Sequence, residues 1–331
     1  MLGAILTRLA DGRFHSGEAL GEALGVSRAA IWKALKRLEE QGYPLQRVRG
    51  KGYRVPRGAC LLDPEAIRAQ LPAALAARWE WHLHQQIDST NAEAQRSLVP
   101  GAPRPLIVLA EQQTAGRGRR GRPWSSPYAQ NIYLSIVEPV SGGAHGLEGL
   151  SLLVGLCLVQ ALEDLGYRGS QLKWPNDVLL GGAKLAGILL EISGDLTGEA
   201  LVVIGVGINV LMDSAEAVDQ AWTSLYRTGQ SATLDRNLLV AAFLQRLAPA
   251  MEVFRAEGFA PFRDAWQQRD AWAGQPVRVV SGDQQQLGRA AGVSARGALL
   301  LQQEQGVQEV SGGEVSLRLN DATLSWTVGT P

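Results

Sequence analysis

The chain of 331 residues is long enough for two or three domains, and 46% hydrophobic with 19% charged residues excludes a disordered or fibrous protein. The formal net charge is zero, so no overall field draws the molecule to a polyanion. The distribution is uneven, however: residues 1–58 carry eleven Lys/Arg against five Asp/Glu, a net +6, and the remainder carries 21 against 27, a net −6. A basic head on an acidic body predicts that one end meets nucleic acid.

In chain order, residues 1–55 read as three short helices and a hairpin. Leu2, Ile5, Leu6 and Leu9 form one apolar stripe. Ser16 caps a second helix carrying Ala19, Leu20 and Leu24, and Gly25-Val26 turns the chain. Ser27 caps a third helix with Ile31, Leu35 and Leu38 inward and Arg28, Ala29, Trp32, Lys33, Lys36 and Arg37 outward, ended by Gly42. Strands over 45–48 and 52–55, joined by Arg49-Gly50-Lys51, complete the layout of a winged helix-turn-helix. Its third helix fits a major groove, with Arg47, Arg49, Lys51 and Arg54 beside it for phosphates. Trp32 either stacks on a sugar or thymine methyl, or packs sideways against the wing.

Cys60-Leu61-Leu62 leads into Asp63-Pro64, a cap followed by proline at the first helical position, which opens the next domain. A strand over 79–87 runs into Asp88-Ser89-Thr90-Asn91-Ala92-Glu93, where Thr90 and Glu93 have capping-box spacing. Backbone N–H groups and hydroxyls there converge on one point, a polar-ligand site. Strand 106–111 then delivers Gln112, Gln113 and Thr114 to residues 115–124, which pack four arginines and three glycines. The stretch lacks the ending of a Walker loop. Its glycines permit close backbone approach, and its arginines bind phosphate or carboxylate bidentately. A flexible linker or an RNA-binding tract has the same composition; the flanking strands, with 131–137 following, argue against the linker.

A buried helix over 151–165 precedes Lys173-Trp174-Pro175-Asn176-Asp177, a Gly181-Gly182 hairpin and the strands 184–191 and 201–209. Gly205 and Gly207 in a β-branched run imply a close approach to the backbone. Arg119, Lys173 and Lys184 together make a cationic pocket suited to an adenylating enzyme, which must stabilise charge on an α-phosphate. Helices over 237–259 and 262–273 follow, then strands over 277–280, 287–292, 298–301 and 315–319. The chain thus divides into 1–60, 61–271, 272–319 and a tail over 320–331. Cys60 and Cys157 match no metal spacing and read as free thiols of a reducing compartment. The N-terminus lacks a basic leader, and the most apolar stretch, 150–162, is shorter than the ~20 residues of a membrane span. A cytoplasmic protein away from membranes is expected. His15, His82, His84 and His145 read as surface or structural residues.

These segments, over essentially the whole chain, resemble the bifunctional biotin–protein ligases and biotin-operon repressors, the group II biotin ligases. The Gly116–Gly121 loop, Lys173–Asp177 and Lys184-Leu185-Ala186-Gly187-Ile188 carry the resemblance most specifically, with Gly205–Asn209 and Gly312–Arg318 in support. It implies an α+β protein: a winged helix-turn-helix, a class II synthetase-like mixed-sheet catalytic domain and an SH3-like barrel. It implies biotin, ATP and Mg2+, with biotinyl-5′-AMP formed first and biotin then passed to a lysine of the biotin carboxyl carrier protein. Operator DNA would be the second partner, met by a homodimer once the adenylate is bound. Ser89, Thr90, Asn91, Gln113, Gly116, Arg117, Lys184, Gly187, Gly205, Gly207 and Ile208 would hold biotin. Arg119, Arg120, Trp124, Asn176, Asp177, Asn209 and Trp222 would meet the nucleotide, with no protein cage for the metal. Arg117, Arg119 and Lys184 would be catalytic. Ser27, Arg28, Ala29, Trp32, Lys33, Lys36, Arg37, Arg49 and Lys51 would face DNA. A lipoate-type ligase and a biotin sensor without ligase activity remain the other readings. Ser89, Thr90 and Gln113 suit a ureido ring against the first, and the presence of Arg119 and Lys184 weighs against the second.

Overall fold

The computed structural model describes residues 1–98, 105–140, 145–193, 200–215, 218, 220–230, 234–281, 284–312 and 315–320. The tail beyond Asn320, and Gly313 and Glu314 of the C-terminal motif, lie outside them.

The head is built as its stripes require. In α1 (Leu2–Leu9), α2 (Gly17–Leu24) and α3 (Arg28–Glu40), the residues Ile5, Leu6, Leu9, Leu20, Ile31, Leu35 and Leu38 are at most 1% exposed. Each such burial contributes about 1.5–3 kcal/mol. Ser16 and Ser27 cap as expected, their hydroxyls accepting from the Ala19 and Ala30 amides at 3.0 and 3.2 Å. The wing, β1 (Gln46–Val48) and β2 (Gly52–Arg54), is sealed to the α1–α2 connection by reciprocal His15–Tyr53 backbone bonds of 2.9 and 2.8 Å. A Cβ on Gly52 would stand 2.0 Å from the His15 carbonyl oxygen, so only glycine fits.

Head and body meet over a buried charge pair. Arg236, 0% exposed, reaches Glu111, also 0% exposed, at 2.7 Å. Its guanidinium also donates to the Cys60 carbonyl at 2.6 Å and the Asn131 carbonyl at 2.9 Å, while Glu111 accepts from the Leu62 amide at 2.5 Å. Asn237 adds bonds to the Asp63 amide and the Leu61 carbonyl. The connection over 60–63 is thereby stapled to the body. Both cysteines are free, as expected, and burial pushes the Cys60 thiol up to about 11.

The body begins with α4 (Pro64–Arg68) and α5 (Ala73–Ala76). It continues through β3 (Glu80–His84), α6 (Thr90–Arg96), β4 (Leu106–Ala110), β5 (Ile132–Val140), α7 (Leu150–Asp164), β6 (Ser170–Lys173), β7 (Asp177–Leu180), β8 (Ala183–Ser193) and β9 (Ala200–Ile208). The sheet runs β3-β4-β5-β9-β8-β7-β6, with β3 and β4 parallel and the other pairs antiparallel. α8 (Leu225–Thr228) and α9 (Arg236–Glu257) follow. α7 and α9 pack together on one face of the sheet, and α6 covers the strands β4, β5 and β9 on the other. α9 has the length and hydropathy of a membrane span, yet 56% of its most apolar stretch is buried inside the protein, the place of a core helix.

The helix expected over 262–273 is short: α10 (Arg263–Gln267) stops early because Arg269–Ala271 pair with Leu172 at the sheet edge. Tertiary pairing overrides local propensity there. The C-terminal unit is an antiparallel five-stranded sheet, ordered β13-β12-β11-β10-β14. Its strands are β10 (Pro276–Ser281), β11 (Gln284–Val293), β12 (Leu299–Gln303), β13 (Gly306–Val310) and β14 (Val315–Leu319). β13 is absent from the sequence reading because its exposed Gly-Val-Gln-Glu-Val pattern carries little apolar signal.

Arg236→Met leaves Glu111 buried without its partner. The expected loss is about 3–5 kcal/mol, read as a lower urea midpoint, with partial recovery in Arg236→Met/Glu111→Gln. An unchanged midpoint in the single variant would refute the staple.

Candidate functional site

The parallel pairing of β3 with β4 continues past both strands as a bridge between Ile87 and Gln113, with Thr114 and Ala115 donating to the Ile87 and Asp88 carbonyls at 2.8 Å each. That register places the start of α6 beside the glycine–arginine loop. The expected capping box does not form. Ser89 is the cap residue without a side-chain cap bond, and the Thr90 amide and hydroxyl both donate to Gln113 Oε1, at 2.8 and 3.1 Å. A side chain from the neighbouring strand thus satisfies the helix end. Ser135 of β5 completes the polar cup, its hydroxyl donating to Asn91 Oδ1 at 2.5 Å and lying 2.9 Å from Thr90 Oγ1.

The loop is a closed hairpin. Gly118 donates to Arg122 at 2.7 Å and Trp124 to Gly116 at 2.9 Å, around a single turn over Arg119–Gly121 with Arg120 at φ 59. Arg119 points away from it: Nη1 donates to Asn176 Oδ1, and Nη2 to the Gly312 and Val315 carbonyls, each at 3.1 Å. Arg117 meets Glu191 at 3.3 Å, and Asn91 donates to the other oxygen of Glu191 at 2.7 Å.

Lys184 is aimed by an irregularity of the sheet. Between β7 and β8 the register shifts from Val178↔Ala186 to Leu179↔Lys184. A bulge of this kind turns a strand's face, and it puts Lys184 on the same side as Gly187, three residues on. Gly187 lies opposite Gly207, and Gly205 opposite Ser135, so these glycines floor the same face. Trp124 lies over them: a Cβ on Gly207 would stand 2.5 Å from its indole. Lys184 Nζ lies 2.7 Å from Asp177 Oδ1 and 5.4 Å from the Trp124 ring. Lys173 reaches the other Asp177 oxygen at 3.3 Å, and its pKa is lowered, mainly because burial disfavours its charge.

The result is a cavity of about 920 Å3 walled by α6, the loop, β7–β9 and, across from them, β14 and Trp272. Among the described residues it is lined by Arg117, Arg119, Arg120, Arg122, Lys173, Lys184 and Arg318 against the single carboxylate of Asp177. Seven cations to one anion give the cavity a strongly positive lining.

Ser89, Thr90, Asn91, Gln113, Arg120, Asn176, Gly187, Gly205 and Gly207 also line it, as does Trp124. Four expected residues do not. Ile208 pairs with Ala186 and Ile132 and turns into the core, 1% exposed; strand alternation from Gly205 and Gly207 already required this. Asn209 instead binds the Thr223 carbonyl at 3.0 Å, supporting the segment beside Lys184. Trp222 bridges the Lys184 backbone with its ring under Arg227, 4.5 Å away. Gly116 sits at the hairpin mouth, where a Cβ would stand 2.7 Å from Ser126 Oγ. Sequence reasoning missed Ser135, Glu191, Trp272 and β14; only folding brings these distant segments together.

In the head, Ser27, Arg28, Ala29, Trp32, Lys33, Lys36, Arg37, Arg49 and Lys51 are all exposed. Trp32, 45% exposed, has Lys36 5.2 Å from its ring, so it is not buried against the wing. Arg54 is taken from the phosphate set: it donates to Gln46 Oε1 and stacks over Phe14.

Three family models match the chain: the Biotin/lipoate A/B protein ligase family over residues 83–209, an HTH domain over 2–54 and the Biotin protein ligase C terminal domain over 273–318. The bifunctional ligase/repressor BirA of Salmonella typhimurium is 41% identical over 319 residues, 95% of this chain and 96% of its own. The biotin–[acetyl-CoA-carboxylase] ligase of Paracoccus denitrificans is 40% identical over 239 residues, covering 69% of this chain and 96% of its own length. Among solved structures, the Aquifex aeolicus biotin protein ligase in complex with biotin and ATP superposes with a TM-score of 0.63 at 28% identity, over 74% of this chain and 100% of that one.

Gly205→Ala places a Cβ 2.3 Å from Asn91 Oδ1 and must break the polar cup, whereas Gly118→Ala meets nothing nearer than 3.5 Å. The first is expected to lose about 1–3 kcal/mol in urea unfolding and the second to stay near the parent. Equal midpoints would contradict the packing.

Proposed function

We propose, on the premise that the chain belongs to the family of bifunctional ligase/repressors, that it is an ATP-dependent biotin protein ligase and a biotinyl-AMP-dependent repressor of biotin synthesis genes. The observation that carries the reading is the bulge-aimed Lys184, facing the glycine floor on one side and the arginine loop on the other. Biotin packs against the side chains that Gly187, Gly205 and Gly207 make room for, Trp124 and Asn91, with its ureido ring in the cup of Ser89, Thr90, Asn91 and Gln113. A carboxylate oxygen attacks the α-phosphorus of ATP as the bond to the pyrophosphate oxygen breaks. Lys184, with Arg117 and Arg119, stabilises the charge that grows on the phosphoryl oxygens. The ε-amine of a carrier-protein lysine then attacks the acyl carbon, and AMP leaves. Catalysis is electrostatics and proximity, without a covalent protein intermediate.

Mg2+ would arrive with ATP and offset its phosphate charge. Asp177 is the cavity's one described carboxylate and is already engaged by Lys173 and Lys184, so the donor set fits a metal carried by the nucleotide rather than a protein cage. Asn176, Arg120 and Trp124, which line the cavity, would meet the nucleotide. The exposed α3 face and wing bind operator DNA, and two adenylate-bound copies form the two-fold dimer a palindromic operator requires. Such a protein works in the cytoplasm.

The decisive test is ATP-dependent labelling of a purified biotin carboxyl carrier domain beside a gel shift on promoter DNA of biotin synthesis genes. Biotin labelling and a biotin- and ATP-dependent shift are expected. Labelling with lipoate alone overturns the substrate, and DNA binding without labelling indicates a sensor. Arg119→Gly takes one cation out of the cavity lining and should speed adenylate release at least about tenfold, the worth of one charge-assisted hydrogen bond to the adenylate, roughly 1.5–3 kcal/mol; promiscuous lysine labelling reports it. Sedimentation should show a dimer with biotinyl-AMP and a monomer without it; a monomer in both rejects the dimer.

A further inference from the structure

Among the described residues, one cluster of side chains with metal-ligand chemistry plays no part in the mechanism. His82 and His84 stand two apart on the edge strand β3, so both rings leave the same face of the sheet. Trp81 and Leu83, which alternate with them, pack against the core on the opposite face. α6 rests above the histidine face and brings Glu93, from its first turn, down between the two elements. One ligand atom from each of His82, His84 and Glu93 lies within 4.8 Å of the others, and His84 Nε2 is 4.0 Å from Glu93 Oε1. None of the three lines the cavity.

Two details set this cluster apart from a chance surface grouping. His84 Nε2 is shielded from solvent and has no hydrogen-bond partner among the described residues, although a buried ring nitrogen ordinarily finds one. Glu93 is held in orientation from behind: its Oε2 accepts from Arg96 Nη2 at 2.8 Å, and Arg96 is itself clamped by both oxygens of Asp88 at 2.7 Å each. That leaves Glu93 Oε1 directed at the histidines. Metal ligands are typically fixed by such outer partners.

We propose that His82, His84 and Glu93 bind a divalent transition-metal ion, zinc, between β3 and α6. Two imidazole nitrogens and one carboxylate are a borderline donor set that suits zinc and disfavours calcium or magnesium. A tetrahedral ion with bonds of ~2.0–2.1 Å holds its ligand atoms about 3.3 Å apart, so side-chain rotations alone draw these atoms together. The ion displaces the contact of His82 Nε2 with Glu80 Oε1, now 3.0 Å, and solvent fills the fourth position. The consequence is positional. Glu93 lies one helical turn from Thr90, whose amide and hydroxyl meet Gln113 in the polar cup. A metal there pins the helix that forms the cup to the outermost strand of the sheet.

The test uses the full-length, tag-free protein after chelator treatment and dialysis. Zinc chloride is titrated in competition with a chromophoric zinc indicator, and cobalt chloride is added separately to record d–d absorption. One zinc per chain is expected, with a cobalt spectrum of tetrahedral intensity and a melting temperature about 5 °C higher at a hundredfold excess over Kd. His84→Ala should weaken zinc more than about 100-fold and Arg96→Ala about 10-fold, as loss of an outer partner does. Should His84→Ala fail to fold, Glu93→Gln keeps an acceptor for Arg96 and must itself weaken zinc at least about tenfold. Absence of binding overturns the proposal, and so does stoichiometric binding that survives these substitutions.

Discussion

A guanidinium sealed from water beside a carboxylate ties this molecule together. Arg236 and Glu111 belong to α9 and to the end of β4, and between them they hold the main chain of the connection that leads from head to body. Neither charge tolerates isolation at 0% exposure. The pair therefore forms only when sheet, helix and connection are all in place. Gln130, one residue before Asn131, donates to the Gln41 carbonyl at the end of α3 and accepts from the Leu211 amide. The DNA-facing helix is thus one side chain removed from the segment that follows β9, which gives head and cavity a physical connection.

The cavity works by the same economy of backbone placement. Its functional atoms come from irregularities of an otherwise regular sheet: a register shift that turns Lys184, glycines that let Trp124 settle on β9, and a parallel pair that overruns its strands to bring Gln113 to the start of α6. Asp177 sits between Lys173 and Lys184 and keeps two ammonium groups close at 3.3 and 2.7 Å. Without an interposed carboxylate, their repulsion in a partly buried site would drive them apart.

Much of this was legible in the sequence. The head follows from apolar stripes and the Ser16 and Ser27 caps, which the structure reproduces, and composition singled out the glycine–arginine loop that lines the cavity. What escaped reading depends on long-range pairing. The Thr90–Glu93 spacing predicts a capping box, but Gln113, 23 residues away, takes the role. The helix over 262–273 was cut short by a sheet edge, and β14, which closes the cavity, lies far along the chain from the lysines it faces. Ile208 is different: the alternation that placed Gly205 and Gly207 in the site already excluded it.

Arg119 grips the C-terminal unit through the carbonyl oxygens of Gly312 and Val315 rather than through side chains. Main-chain oxygens are the same whatever residue bears them. That grip is therefore indifferent to which side chains stand at 312 and 315, whereas the rest of the docking depends on identity: Trp174 donates to the Gly297 carbonyl, and Gly297 packs too tightly on Gly149 to carry a Cβ. A chimera carrying a relative's C-terminal unit should therefore keep the Arg119 grip automatically but must match the residues that meet Trp174 and Gly149.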